Sequence, residues 1–499
     1  MVVVLVIVVI LVVVLATCVV RALALKPTQP AGVPIDAGGY VAGDDAVERF
    51  RTLLRIPTVS RDDPVLLDRT AFDQWIPTLR GLYPKTFSTF ELTRIDDYGI
   101  LMRWAGADES LDPVLLMAHH DVVPTDGQSW TYPPFAAEVH DGRIWARGTT
   151  DNKCCFAAIM EAFETLLGEG YVPPRDVWFF SSCCEETTGP TSEHAAAWLS
   201  DHDIHPYMVL DEGGAIATGV PLGVTVPMAM VGVSEKGHVD LTVRATSTGG
   251  HASSPSDNDA PRLLARAAER ICAHPGKPHV DEAVEAMLVE LAARGSFAYR
   301  LIFANMWLFR PLVGRILASG HETGPLVRST YALTQLEGAS ARNVLPPESS
   351  ANINVRVAPF ETVAQALERA RSSAAAEAKA SHVPGSISVD VAADGLVNEP
   401  APLSPHDDAA FDYIRRCIAG VYPEAGCCPY VQTSCSDARA MSAVCERVYR
   451  LAAFVYTPEM RSRIHGTDEY IPIESYLRGI GFYVAFVRAL GELGTGAGR

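Results

Sequence analysis

The hydrophobic pattern divides the chain into segments of different texture. Val2 to Val20 is an unbroken apolar run (VVVLVIVVILVVVLATCVV), closed by Arg21. That length nearly suits one membrane crossing. Leu25 to Gly43 is rich in Pro and Gly and predicts a linker. From Asp44 the pattern becomes globular. ERFRTLLRIPTVS predicts a helix ending before Pro57, because a residue preceding proline is pushed out of the helical region.

Apolar runs then alternate with helical periodicity. VLLMA (Val114 to Ala118) is followed by a helix near Cys154 to Glu169, the run DVWFFSSCC, a helix near Ser192 to Ser200, and YMVLDEGG. This rhythm predicts an α/β domain with a mostly parallel central sheet. Active sites of such sheets lie beyond the C-terminal ends of the strands. His119, Glu185 and Asp211 each follow an apolar strand run.

The texture changes after Glu235-Lys236-Gly237. HVDLTVRATS and SANINVRV alternate with period two, Arg262 to Ala273 and Glu361 to Ala380 are helical, and SISVDVAA is a further strand. A strand-helix-strand-strand-helix-strand order predicts a small α+β domain inserted in the first. Phe297 to Leu317 is apolar but broken by Arg300, Arg310, Pro311 and Arg315. A true span tolerates those charges poorly, so the segment predicts an amphipathic helix lying on a domain or a lipid surface. Ala409 to Leu493 returns to helix and strand and completes the first domain. The expected divisions are 1–24 anchor or signal, 25–43 linker, 44–236 and 396–499 catalytic domain, and 237–395 insert.

Composition narrows the function classes. The 499 residues are 48% hydrophobic and 20% charged, with a formal net charge of -18. Nucleic acid is excluded as a partner, since phosphate binding needs a basic surface. The acidic excess serves solubility. The 11 cysteines include the doublets Cys154-Cys155, Cys183-Cys184 and Cys427-Cys428 but no CxxC pair, so a cysteine zinc site is not expected. No N-x-[ST] acceptor occurs, which leaves the compartment open. Arg21 and Lys26 follow the apolar run and Ala22-Leu23-Ala24 resembles a cleavage site; an uncleaved anchor is the favoured reading over a cleaved signal. The positive-inside tendency favours a cytoplasmic body, a rule weakest where a large folded domain follows.

A hydrolytic site with two metals needs imidazoles, carboxylates, one bridging carboxylate and one free carboxylate as general base. Alternation puts His119 and Asp121 on one face, so His119 faces a metal while Asp121 takes its other ring nitrogen. His120 points away and is expected to be structural. Asp151 bridges; of Glu185 and Glu186 one ligates and the other holds water; Asp211 and His465 complete the set. Singly, each residue has a plainer reading. Asp151 suits a helix cap, Glu185-Glu186 a solvated loop, Asp211 a turn and His465 the surface. Their order, with three at strand ends, favours the metal site.

These segments resemble the dinuclear zinc metallopeptidase family that includes aminoacylase, carboxypeptidase G and yeast-type carboxypeptidase S. AHHDVVP resembles its H-x-D block and WTYPPFAAEVHDGRIWARGTTDNK its W-x-x-x-P-F…G-R-G-x-x-D-x-K block. CCEETTG, VLDEGG, GGHASSP, NVLPP…NVRV, TSCSDAR and RIHGTDE follow in the expected order. VSEKG and NMWLFRPLVGRIL point to the subgroup of carboxypeptidase S, Gly-Xaa carboxypeptidases and the secreted N-acyl amino acid hydrolase/synthase. The resemblance implies two Zn2+ ions, with Co2+ or Mn2+ as substitutes. His119, Asp151 and Asp211 would surround one ion, and Asp151, Glu186 and His465 the other. It implies Glu185 as general base, Asp121 as the orienter of His119, and His251 as a lid histidine polarising the scissile carbonyl, often from the partner subunit. Asn343 and Arg356 would hold the substrate near its free carboxylate.

Four positions depart from the family pattern. Cys184 stands where Asp is common, Cys154 where Gly often follows the lysine, Asn152 where Asp often follows the bridging Asp, and Thr433 to Ser436 replaces a Gly-rich approach. None removes a ligand or the base, so a membrane-tethered binding protein with a dead site ranks low. The expected activity is a zinc metallocarboxypeptidase on short peptides, with an N-acyl, including fatty-acyl, amino acid amidohydrolase as alternative. The expected partners are a peptide or small-molecule substrate, a membrane through one N-terminal pass, and a second copy in a homodimer. The expected location of the body is lumenal, vacuolar or extracellular, and secreted if the N-terminus is removed.

Overall fold

The computed structural model describes residues 1–494 other than Pro384 and Asp394. Among them the largest sheet has eight strands, ordered Glu91–Ile95, Gly99–Trp104, Val177–Ser181, Val114–Met117, Met208–Ala217, Val448–Tyr456, Met228–Glu235 and Gly426–Gln432. The four strands from Val177–Ser181 to Val448–Tyr456 run parallel. Antiparallel pairings flank them on both sides. The sheet is thus mixed, with a parallel centre.

Strand Val114–Met117 is buried on both faces. Val114 and Leu116 pack into one core with Phe156, Phe163, Phe482 and Phe486 from helices Lys153–Gly168 and Ile473–Arg488. Leu115 and Met117 pack on the other side with Ala195, Leu199 and Met441. A strand covered by helices on both faces reads as a continuous apolar run. Strand Met208–Ala217 continues past Asp211, which therefore lies within a strand and not after one. Gly214 makes that course possible: a side chain there would overlap the carbonyl of Met230 on the adjoining strand.

The second core belongs to an antiparallel sheet ordered Thr330–Glu337, Glu348–Val357, Gly237–Thr246, Ile387–Val391, with Val397–Asn398 also paired to Gly237–Thr246. Helices Ala260–Ala273 and Val363–Ala380 cover one face. Asp259 caps the first by accepting from Arg262 N, and Thr362 with Gln365 forms a capping box on the second. Helices between Glu282 and Val327, within the span expected for the insert, bury Val284, Leu288, Met306 and Val313 in the larger core instead. The apolar segment near 297–317 is two helices, Phe297–Phe303 and Met306–Ser319, bent by 105°. Val2–Ala24 is a 23-residue helix, long and apolar enough to cross a membrane. The stretch after it is docked on the body: Thr28 N and Oγ1 donate to Glu290, Ala31 N to Asp412, and Ile35 N to the Arg416 carbonyl.

One buried ion pair ties two neighbouring strands of the eight-stranded sheet together. Arg450 Nε donates to Glu235 Oε2 at 2.7 Å, both side chains being wholly buried, and Ser436 Oγ donates to the same oxygen at 2.8 Å. Glu235 ends the strand from which the chain passes, through Lys236, into the lid. Removing one member of a buried pair leaves an uncompensated charge, which costs about 3–5 kcal/mol. Arg450→Ala is therefore expected to lower stability by about that amount in denaturant unfolding. A loss below 1 kcal/mol would count against this account.

Candidate active site

The end of strand Val114–Met117 delivers His119, His120 and Asp121, all buried. His120 turns away from the cleft. Its ring stacks on Trp75 at 5.1 Å and its Nδ1 lies 2.8 Å from Ser181 Oγ, so it is structural, as its opposite facing predicted. His119 Nδ1 lies 3.0 Å from the Asp121 carbonyl oxygen and 3.4 Å from Oδ1. The Asp121 carboxylate also accepts from Glu185 N and Glu186 N, each at 3.2 Å. One side chain thus orients the imidazole and fixes the turn that carries the glutamate pair.

Asp151 stands between two histidines. Its Oδ1 is 3.0 Å from His119 Nε2 and its Oδ2 is 3.1 Å from His465 Nε2. It is not a helix cap; Asn152 occupies that position and makes no side-chain cap bond. His465 Nε2 also lies 2.9 Å from Glu186 Oε2. Asp151, Glu186 and His465 therefore offer donor atoms within 4.8 Å of one another, and so do His119, Glu185 and Glu186. Asp211 is buried, but its Oδ2 accepts from Ala438 N at 3.0 Å and it falls in neither group.

The loop that presents Asp151 is gathered by Glu469, a residue the sequence reading did not single out. Its carboxylate accepts from Arg147 Nη1 at 2.6 Å, Thr150 N at 2.7 Å, Thr150 Oγ1 at 2.8 Å, and Gly148 N and Asp151 N at 3.2 Å. Both Arg147 and Glu469 are almost fully buried. Arg147 Nη2 donates in turn to the carbonyls of His465 and Gly466. The Arg-Gly-Thr-Thr-Asp loop and the Ile-His-Gly-Thr-Asp-Glu loop therefore hold each other, and with them Asp151 and His465.

Crowding of carboxylates sets the electrostatics. Burial, with Asp437 and Glu186 nearby, pushes the Glu185 carboxyl well above its ordinary value. Burial and Asp151 raise Glu186 to about 7, and burial raises Asp211 to about 6. Hydrogen bonds to Asp151 and Glu186 raise His465 to about 10. Burial opposes protonation of His119, but Asp121 and Asp151 hold it well above the usual imidazole range. Glu186 Oε1 is buried with no hydrogen-bond partner. An anionic, desolvated donor set of imidazole and carboxylate with an orphaned oxygen fits divalent cations.

The carboxylates open onto a cleft of about 180 Å³ lined by Glu185, Glu186, His465, Asp437, Arg439 and, from the lid, Arg356. Arg356 Nη1 lies 3.4 Å from Cys435 Sγ. Arg439 and Asp437 were missed in sequence although both lie in the TSCSDAR block. His251 and Asn343 are not brought to the cleft. His251 lies exposed on the short strand pair Gly250–His251 and Val344–Leu345, and Asn343 lies exposed in the turn before Val344, where Ala252 N donates to its carbonyl.

A mixed α/β sheet with an imidazole–carboxylate cluster at its rim is the architecture of a metallohydrolase. The chain belongs to the peptidase family M20/M25/M40, whose model matches residues 115–489. It is 30% identical over 467 residues to a Dictyostelium discoideum protein described as a probable carboxypeptidase S-like 2, covering 90% of this chain and 88% of that one. It is 33% identical over 452 residues to the N-fatty-acyl-amino acid synthase/hydrolase PM20D1 of Bos taurus, covering 88% and 87%. In fold it resembles the M20 family metallo-carboxypeptidase Sso-CP2 of Sulfolobus solfataricus, with a TM-score of 0.62, 16% identity and coverage of 90% and 99%.

Because Glu469 gathers the loops that carry Asp151 and His465, Glu469→Gln should keep its volume while losing the charge. Metal retention against a chelator is expected to fall by about 10–100-fold, the usual effect of removing such support. The circular dichroism spectrum should stay unchanged. Unaltered metal retention would refute the positioning role.

Proposed function

We propose that the chain is a dinuclear zinc carboxypeptidase that releases the C-terminal residue of short peptides. The observation that carries this reading is the Arg356 guanidinium in the cleft beside Glu185, Glu186 and His465. A planar guanidinium suits a substrate's terminal carboxylate, because it offers paired donors. Asp151, Glu186 and His465 would hold one ion. His119, Asp151 and Asp211 would hold the other, with Asp211 exchanging its bond to Ala438 N for the metal. Zn2+ suits the donors, with Co2+ or Mn2+ as substitutes. When bound, the metal supplies a Lewis acid and a water whose pKa falls towards 7.

Glu185, adjacent to the ligand Glu186, takes the proton of the attacking water and returns it to the leaving amine. Its burial keeps the carboxylate from being levelled by bulk solvent and suits both transfers. Asp121 keeps His119 and the Glu185 turn in register. His251 and Asn343 stand exposed on the lid, which supports their serving the cleft of a second copy in a homodimer, where His251 would polarise the scissile carbonyl. The apolar helix Val2–Ala24 supports a single-pass anchor, with the body lumenal, vacuolar or extracellular, or a secreted enzyme if the helix is removed.

A second reading, hydrolysis of N-fatty-acyl amino acids, is favoured by the 33% identical relative described with that activity. Both readings use the same attack on an amide beside a free carboxylate. They differ in what fills the acyl side.

Glu185→Gln should lower turnover by about 10²–10⁴-fold, as expected for loss of a general base, with metal content intact. Near-wild-type turnover would sink the assignment. Gly-Leu, benzyloxycarbonyl-Gly-Leu and N-oleoyl-phenylalanine, each with and without chelator, separate the substrate classes. Chelator-sensitive cleavage of the two glycyl-leucine compounds alone supports the carboxypeptidase, whereas preference for the oleoyl compound overturns it in favour of the second reading.

Mixing tests the shared site. His251→Ala and Glu185→Gln chains, each inactive alone, should regain part of the activity when allowed to exchange subunits. No recovery between chains shown to form mixed dimers would exclude donation of His251 to a partner.

A further inference from the structure

We propose that helices Phe297–Phe303 and Met306–Ser319 form a monotopic membrane contact that seats the catalytic body on the lipid surface beside the N-terminal helix. The proposal rests on the anchor reading above. It adds a second, independent point of contact with the bilayer.

The two helices have distinct inner and outer faces. Phe303, Met306, Val313 and Ala318 are buried in the main core. Trp307, Leu308, Leu312 and Ile316 face outwards, and Trp307 is 57% exposed. Leu308, Leu312 and Ile316 recur every fourth residue, so they form one stripe along the helix. Trp307 Nε1 donates to Asn305 Oδ1 at 3.1 Å. The indole's one donor is therefore satisfied within the protein, and the ring presents carbon to its surroundings. Water gives such a surface no compensation.

Charge agrees with a lipid headgroup layer. The segment from Phe297 to Ser319 holds Arg300, Arg310 and Arg315 and no acidic residue, in a chain of formal net charge -18. Arg315 is exposed, and Arg310 pairs with Glu285 at the side of the helix. Apolar and aromatic side chains with arginines beside them are the composition of helices that lie in the membrane interface.

Position selects lipid over a second copy. Helix Val2–Ala24 exposes apolar side chains over most of its length and buries Cys18 and Ala22 near its C-terminal end. That end is fastened to the bend between the two helices. Arg21 Nε donates to the Ala304 carbonyl at 2.9 Å, and Asn305 Nδ2 donates to the Cys18 carbonyl at 3.0 Å. A 23-residue helix is about 35 Å long, against a hydrocarbon core of about 30 Å. If it spans, its C-terminal turns reach the interface, and the fastening carries the exposed stripe to the same depth.

The test uses the full chain reconstituted into vesicles of phosphatidylcholine and phosphatidylglycerol, with and without brominated acyl chains. Of the seven tryptophans, Trp75, Trp104 and Trp178 are buried, and Trp130, Trp145 and Trp198 are partly so. Brominated lipid should quench one emission component of the wild type, and Trp307→Phe should remove that component while peptidase activity stays unchanged. A chain that floats with the vesicles but shows equal quenching in both forms overturns the contact and leaves the anchor standing. Shielding of Trp307 by a second copy gives that same unquenched result, with a dimer in the size measurement. A chain that does not float overturns contact and anchor together.

Discussion

The Glu469 carboxylate is removed from solvent at the meeting point of two loops, where it would be costly without compensation. Arg147 and the backbone amides of residues 148, 150 and 151 supply that compensation. Meeting the demand of one buried charge therefore forces the loop after Trp145 to curl around it. The curled loop aims Asp151 outwards, between His119 and His465. The ion pair serves geometry more than stability, since a buried pair seldom outweighs its own desolvation by much.

Asp121 plays the matching part on the other side of the cleft. It engages His119 from below and both amides of the Glu185-Glu186 turn. The two acidic residues thus fix opposite halves of the donor set without belonging to it. Between them stand the carboxylates of Asp151, Glu185 and Glu186. Burial, with neighbouring carboxylates adding to it, raises the proton affinities of Glu185, Glu186 and Asp211.

Much of this was legible from the chain. Both-face burial made Val114 to Met117 an apolar run, and period-two alternation marked Gly237–Thr246 and Glu348–Val357. The edge strand Thr330–Glu337 carried no such signal because all but one or two of its side chains are exposed. The strand containing Asp211 was expected to end there; it continues because the two glycines that follow permit close packing that no periodicity announces. His119, Asp151, Glu186 and His465 converge as their motifs suggested. Glu469 was hidden by its ordinary place in a polar loop, since its role depends on Arg147, 322 residues away. Arg439 was hidden likewise.

The exposed position of His251 and Asn343 follows from how the lid is built. Its core is filled by the two helices and the inner sides of its strands, and the Gly250–His251 and Val344–Leu345 pair contributes no side chain to it. Arg356 belongs to the separate five-stranded sheet, and it enters the cleft because Glu348–Val357 returns towards the junction at Lys236 and Gly237. The five-stranded sheet and the short strand pair thus face different surroundings. The strand that carries Arg356 lines the cleft of its own chain, and the short pair carries His251 at the surface. Within one copy, Arg356 reaches the cleft, whereas His251 and Asn343 do not.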